Sequence, residues 1–405
     1  MAVAEEKAAT KTNAVTSSNS IRFDQIDVLR GLAALMVVLH HCCGHVGGGS
    51  WWRVSIFGHV MYPSRIFYHG YIGVDLFLVL SGFCLAWPVL ARPDKPFRLG
   101  TYAKRRFLRI YPPYLITFLL LLFGGWACRM SGLTKIRHLE FAQPLNLFHL
   151  LGSVTLQMTN LNPAFWTLCL EARWYLLFPL VVLFARRRSV WLLLPVMVAV
   201  SALTPHTDHG PLKLLIYLPA FVAGVLAAQV HAKVVQGPGV RPCNSRSRFY
   251  GAGLAVSFAL CLALLPPPNV PGRGGPREVL PTAVMFFCLL LLALEYKAAL
   301  PMPLRVLQRI GIFSYSLYLV HVPIIEVGYM LYRPIHYPPA VQLLYWQCVF
   351  VPIIVLLSYL FFLVAEKPFI AGSPSGNAAL IWWRKQRTLQ PLTSQEKPIA
   401  TKETS

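Results

Sequence analysis

Charge is scarce in this chain. Only 13 % of its 405 residues are Asp, Glu, Lys or Arg, and just 15 are acidic. A soluble globular domain carries about twice that charged fraction, so most of this chain is not built for solvation by water. Paired cysteine motifs are missing as well. The nine cysteines, at 42, 43, 84, 128, 169, 243, 261, 288 and 348, show no metal or redox spacing and fall mostly inside apolar runs, where they read as small packing residues. No basic segment leads directly into a cleavable apolar core, so no secretory signal peptide is expected. No internal repeat and no appended soluble domain is visible. The net charge of +22 would suit nucleic acid if the basic residues formed a stripe on a soluble surface. They cluster between apolar runs instead, and no nucleic-acid partner is expected.

Long apolar stretches are what the chain has in abundance, with 56 % hydrophobic residues and a mean hydropathy of +0.55. A membrane-spanning helix needs about 20 mostly apolar residues, because unpaired backbone groups cannot be left in hydrocarbon. Ten runs are candidates: 27–44, 71–90, 110–128, 166–185, 189–204, 212–230, 249–266, 280–296, 311–331 and 341–364; the fifth, seventh and eighth are short or merge into Pro-rich edges, which leaves nine or eleven spans as alternatives. Basic residues near spans mark the cytoplasmic side. With the amino terminus inside, the tails, the even-numbered loops and the inner end of the first span hold 27 of the 37 basic residues, against 9 on the other side. The expectation is an all-α, polytopic membrane protein of about ten transmembrane helices with both termini cytoplasmic. One membrane domain, 21–370, lies between polar tails, 1–20 and 371–405, that are expected to be disordered. Within the second tail, "LIWWRKQR" (380–387) suits a headgroup layer, and "PPPNVPGRGGPR" (266–277) reads as a helix-free connection. The outer loop near 129–165 has room for a short interfacial helix.

Ionisable residues inside the apolar runs are the functional candidates, since such groups are expensive in a bilayer unless they face a cavity or the bundle interior. In "RGLAALMVVLHHCCGH" (30–45), Arg30 and His41 are eleven residues apart, about 1100° of helical rotation, which returns them to one face about 16 Å apart. His40 points elsewhere, while Asp27 lies near the shared stripe. His41 therefore reads as a general base, with a packing histidine as the alternative. A metal at His40, His41, Cys42, Cys43 and His45 lacks a second ligand pair of suitable spacing. Asp75 in the second run and Glu171 in the fourth are expected at similar outer-half depth, where either carboxylate could orient and polarise the imidazole. Arg173 points away from Glu171. On the inner side, Arg105 and Arg109 stack at i, i+4 and offer bidentate anchors for phosphate, or act as plain topology anchors. Ser314, Tyr318 and His321 share a face of the ninth run, with His321 near mid-membrane as a polar lining group or an interhelical hydrogen bond.

The blocks "DVLRGLAALMVVLHH", "GVDLFLVLSGF", "RRFLRIYPPY", "WTLCLEARWYLLFPL" and "FSYSLYLVHVPI" resemble, in order, successive motifs of the acyltransferase-three family of integral-membrane O-acyltransferases, over roughly 24–370. The family's Arg, ten residues, His pattern is matched by Arg30 and His41, its Arg, three residues, Arg pattern by Arg105 and Arg109, and its Phe-x-x-x-Ser-Gly stretch by Phe77, Ser81 and Gly82. Glu171 stands at the acidic position of the tryptophan-led block. The resemblance implies about ten transmembrane helices and transfer of an acyl group, commonly acetyl, from cytoplasmic acyl-coenzyme A to a hydroxyl of a small-molecule metabolite or carbohydrate. His41, Glu171 and Asp75 are then the catalytic candidates, with Arg30, Arg105 and Arg109 for the coenzyme. His321, Tyr318, Trp166 and Ser81 are candidates for substrate contact. Acyl-coenzyme A, a hydroxyl-bearing acceptor and the bilayer are the expected partners, with no metal and no tightly bound cofactor. A membrane transporter or acyl-group translocator using the same intramembrane groups is the rival reading.

Overall fold

The computed structural model describes residues 23–45, 54–56, 59–61, 65–132, 139–143, 146–158, 161–204, 213–236, 244–264, 276–331 and 338–370. The tails 1–20 and 371–405, most of the Pro-rich 266–277 connection and the side chain of His45 lie outside the described residues. Twelve helices longer than one turn are labelled here: α1 (Asp24–His45), α2 (Gly73–Leu90), α3 (Leu99–Met130), α4 (Leu147–Val154), α5 (Trp166–Arg187), α6 (Leu194–Leu203), α7 (Leu218–Gln236), α8 (Asn244–Leu264), α9 (Pro276–Glu295), α10 (Met302–Ile312), α11 (Ser314–Leu331) and α12 (Val341–Phe369). An antiparallel hairpin, β1 (Val54–Ile56) with β2 (His59–Met61), pairs Val54 with Met61.

Seven helices, α1, α2, α3, α5, α7, α9 and α12, are long and apolar enough to cross a membrane, and the bent pair α10–α11 makes an eighth. The chain is a multi-pass integral membrane protein. The other two predicted runs fall on α6, with only 10 residues, and on α8, which opens on Arg246 and Arg248. The short helix expected in the outer loop is α4, capped where the Asn146 side chain accepts the His149 N–H at 2.8 Å.

Three features position the site. Helix α3 has 32 residues and is therefore about 48 Å long, well beyond the roughly 30 Å hydrocarbon thickness, so its arginines are carried up to the bilayer on a continuous rod. Helices α1 and α10 touch backbone to backbone: a Cβ on Gly31 would strike the Leu307 carbonyl, and one on Gly311 the carbonyl of Asp27. Gly82 of α2 and Gly224 of α7 permit the same close approach. Finally, the chain turns through 80° between α10 and α11, pivoting on Phe313. Sequence hydropathy reads 311–331 as one straight span and 297–310 as loop. The structure makes α10 a separate amphipathic helix, because eleven residues carrying Arg305 and Arg309 are too short and too charged to register as a span. The turn lets α11 begin inside the protein, with Ser314 fully buried.

Candidate active site

A cavity of about 400 Å³ opens where α1, α2, α3, α5 and α11 meet. Each helix contributes polar side chains to its wall: Arg30 from α1, Ser81 and Cys84 from α2, Arg106 and Arg109 from α3, Glu171 and Tyr175 from α5, Ser314 and Tyr318 from α11. Three guanidiniums thus face one carboxylate in the wall itself. Arg30 and Arg109 make no hydrogen bond to any other described residue, and the Nε of Arg106 is buried without a partner. Arg106 lies 5.8 Å from the centroid of the Tyr175 ring. Glu171 accepts from Ser81 Oγ at 3.2 Å and from the Tyr175 hydroxyl. Behind the wall, Glu366 of α12 is 1 % exposed and acts electrostatically on both Arg109 and Arg30. Its Oε2 accepts from Ser316 N at 3.1 Å and Ser316 Oγ at 2.6 Å.

Going up α11 from the arginines, the wall passes through Tyr318, which accepts from Thr167 Oγ1 at 2.5 Å and donates to the Ala164 carbonyl at 2.8 Å. One turn further stands His321, fully buried, with its ring centroid 5.5 Å from that of Tyr318 and 5.0 Å from that of His41. His321 Nδ1 is 2.8 Å from the Tyr318 carbonyl. A carbonyl can only accept, so Nδ1 carries the proton and Nε2 is left as a lone-pair acceptor. That Nε2 is buried without a hydrogen-bond partner. His40 stacks edgewise 5.2 Å from His41, and its Nδ1 donates to the Tyr68 carbonyl at 2.5 Å. The doubled histidine of the sequence therefore has one ring turned to the backbone of Tyr68 and the other turned toward His321.

The predicted residues divide into three groups. Arg30, Arg109, Glu171, Ser81 and Tyr318 share the cavity wall. His41 and His321 pair beyond Tyr318 and do not line the cavity. Asp75 lies elsewhere: it is 4 % exposed and its Oδ2 accepts from Thr282 Oγ1 of α9 at 2.7 Å, beside Glu278, which accepts from the Tyr71 hydroxyl at 2.7 Å. Neither Asp75 nor Glu171 is hydrogen-bonded to His41, so the common depth expected for all three does not bring them together. Glu171 belongs instead with the arginines, because the long α3 raises Arg109 about 15 Å from its first residue to meet it. Arg105 is exposed and outside the cavity, whereas its neighbour Arg106 shares the wall with Arg109 at i, i+3. Trp166 also stays out of the wall. Its ring lies under Lys213 Nζ at 3.8 Å and beside Tyr217 at 5.4 Å. Arg106, Cys84, Tyr175 and Glu366 were not singled out from the sequence, whereas Ser314 was, on the shared face with Tyr318 and His321. For Glu366 the available signal was an acid two residues past the end of the last apolar run.

Against known proteins, the model of the acyltransferase domain of the acyltransferase-three family matches residues 23–363. Acyltransferase MdmB of Streptomyces mycarofaciens is 28 % identical over 290 residues, 65 % of this chain and 70 % of its own length. A protein of Acidianus two-tailed virus named as a candidate acetyltransferase, ORF330, is 26 % identical over 306 residues, 73 % of this chain and 82 % of its own. An uncharacterised protein of Haemophilus influenzae is 28 % identical over 123 residues, 28 % of this chain.

Proposed function

This chain belongs to the acyltransferase-three family, and from that premise we propose that it transfers an acyl group, acetyl in the simplest case, from acyl-coenzyme A to a hydroxyl of a metabolite or carbohydrate. The observation that carries the reading is the pair of facing ends on one helix. At the foot of α11, Ser314 lines the same cavity as three guanidiniums. About 10 Å higher, His321 meets His41. The excess of basic residues on one side of the spans favours a cytoplasmic amino terminus, which puts the arginine end toward the cytoplasmic donor pool and the imidazoles toward the opposite face.

In this reading the coenzyme's phosphates lie against Arg30, Arg106 and Arg109, whose planar donors fit phosphate oxygens. The acyl-bearing arm runs up the Tyr318 face to the imidazoles. His41 takes the proton of the acceptor hydroxyl as its oxygen attacks the thioester carbonyl carbon. The C–S bond then breaks, and the departing thiolate receives that proton from the imidazolium, so the ester and free coenzyme A leave with no net proton change. Glu171, held by Ser81 and Tyr175, balances part of the arginine charge. No tightly bound cofactor is needed for this chemistry.

The test is transfer of label from [14C]acetyl-coenzyme A by the detergent-purified protein into a pool of hydroxyl-bearing extract metabolites and sugars. Ester-linked label from the wild type and none from His41→Ala, with donor binding kept by the variant, supports the reading. Normal turnover by His41→Ala overturns the base assignment. Acetyl movement across a vesicle without any ester product would make the protein a translocator.

A further inference from the structure

We infer that the elbow between α10 and α11 is a phosphate subsite, in which the Ser314 hydroxyl and the opening turn of α11 hold a phosphate oxygen against Arg30 and Arg109. The chain turns through 80° at this point, so an 18-residue helix starts inside the protein with its amino-terminal end at the cavity. A helix start presents unsatisfied N–H groups and partial positive charge, which together favour an anion. Ser314 is the independent sign of a ligand: it is 0 % exposed, lines the cavity, and its Oγ is buried without a hydrogen-bond partner. A buried hydroxyl without a partner is costly in a protein interior. The neighbouring Ser316 shows what this helix start prefers, because its N–H and its Oγ both donate to the Glu366 carboxylate. One anion, supplied by the protein, therefore already sits on the first turn. The cavity side, which Ser314 shares with the guanidiniums, offers the second position, where a phosphate oxygen would accept from the Ser314 hydroxyl.

Glu366 takes a defined part in this arrangement. It holds the start of α11 through Ser316 and offsets part of the charge of Arg109 and Arg30. Its carboxylate therefore repels an incoming phosphate while holding the helix that binds it. Changing Glu366 to Gln keeps an acceptor for Ser316 N–H and removes that repulsion.

The inference rests on the coenzyme reading only in naming the natural source of the phosphate, so the measurement separates the two. Binding of coenzyme A, pantetheine and inorganic pyrophosphate to the full-length detergent-solubilised protein is titrated by calorimetry for the wild type, Ser314→Ala and Glu366→Gln. A hydrogen bond to a charged group supports a loss of about tenfold in coenzyme A and pyrophosphate affinity for Ser314→Ala, with pantetheine unchanged. Glu366→Gln should gain severalfold for the two phosphate probes. Equal loss for pantetheine would place Ser314 on the arm and overturn the subsite, as would unaltered phosphate binding in a monodisperse Ser314→Ala protein. Should that variant not fold, unchanged or weakened pyrophosphate binding by Glu366→Gln overturns the subsite by itself. A wild type that binds pyrophosphate in a Ser314-dependent way but not coenzyme A would keep the subsite and sink the coenzyme reading.

Discussion

Two adjacent arginines give the sharpest test of the cavity. Arg105 and Arg106 are neighbours in sequence with identical chemistry, yet Arg105 is exposed outside the cavity and Arg106 lines its wall beside Tyr175. Replacing Arg106 by Ala removes one of three guanidiniums from the wall. A charge-assisted hydrogen bond contributes about 1.5–3 kcal/mol, equivalent to about 10- to 100-fold in a dissociation constant. Arg106 is only partly buried, so the lower end applies, and coenzyme A affinity should fall about tenfold. Arg105→Ala removes a charge screened by solvent and salt and should stay within about twofold. Arg106→Lys, which keeps the charge but loses the planar fork, should fall between. Calorimetric titration of the three purified variants at two ionic strengths measures this, and the Arg106 effect should persist at the higher salt. The reasoning fails if Arg105→Ala weakens binding as much as Arg106→Ala, or if Arg106→Ala leaves binding unchanged.

Other substitutions probe the surrounding frame. His321→Gln removes the buried imidazole beside His41, and acyl transfer should drop by about 100-fold or more while coenzyme A affinity holds, in single-turnover and binding assays respectively. Gly311→Ala drives a methyl group into the backbone of α1, so thermal unfolding in detergent should show a loss of about 1–3 kcal/mol together with weaker donor binding, because Arg30 shifts with α1. Thr282→Val takes away the hydroxyl that Asp75 accepts from, at a site away from the cavity. Stability should decrease by about 1–3 kcal/mol with coenzyme A affinity unaltered; a selective loss of donor binding would mean that Asp75 communicates with the cavity.

Length and apolarity made most of the spans legible, because a bilayer imposes the same requirement of about 20 apolar residues on every crossing. Helical angle alone placed Arg30 on the His41 stripe and aligned Ser314, Tyr318 and His321, and the structure keeps both alignments on single helices. Partners on other helices were not legible. Arg105 and Arg106 both lie on a shared side with Arg109, at four and three residues, and only the neighbours of α3 decide which one faces inward. Asp75 looked like a companion for His41 because both sit at outer helix ends, yet the partner that fixes it, Thr282, is 207 positions away in the chain. The elbow at Phe313 escaped notice because hydropathy records how apolar a segment is and not the direction it takes.

Helix α11 acts as a ruler. Ser314 and His321 are seven residues apart on one rod, so the distance between the proposed phosphate position and the imidazole is set by helical rise, about 10 Å, and requires no hinge to establish it. One residue inserted between them would lift His321 by 1.5 Å and swing it through about 100°, out of register with His41. If the proposed subsite holds, a donor would be gripped at both ends only when its phosphates and reactive carbonyl can be spaced for that rod.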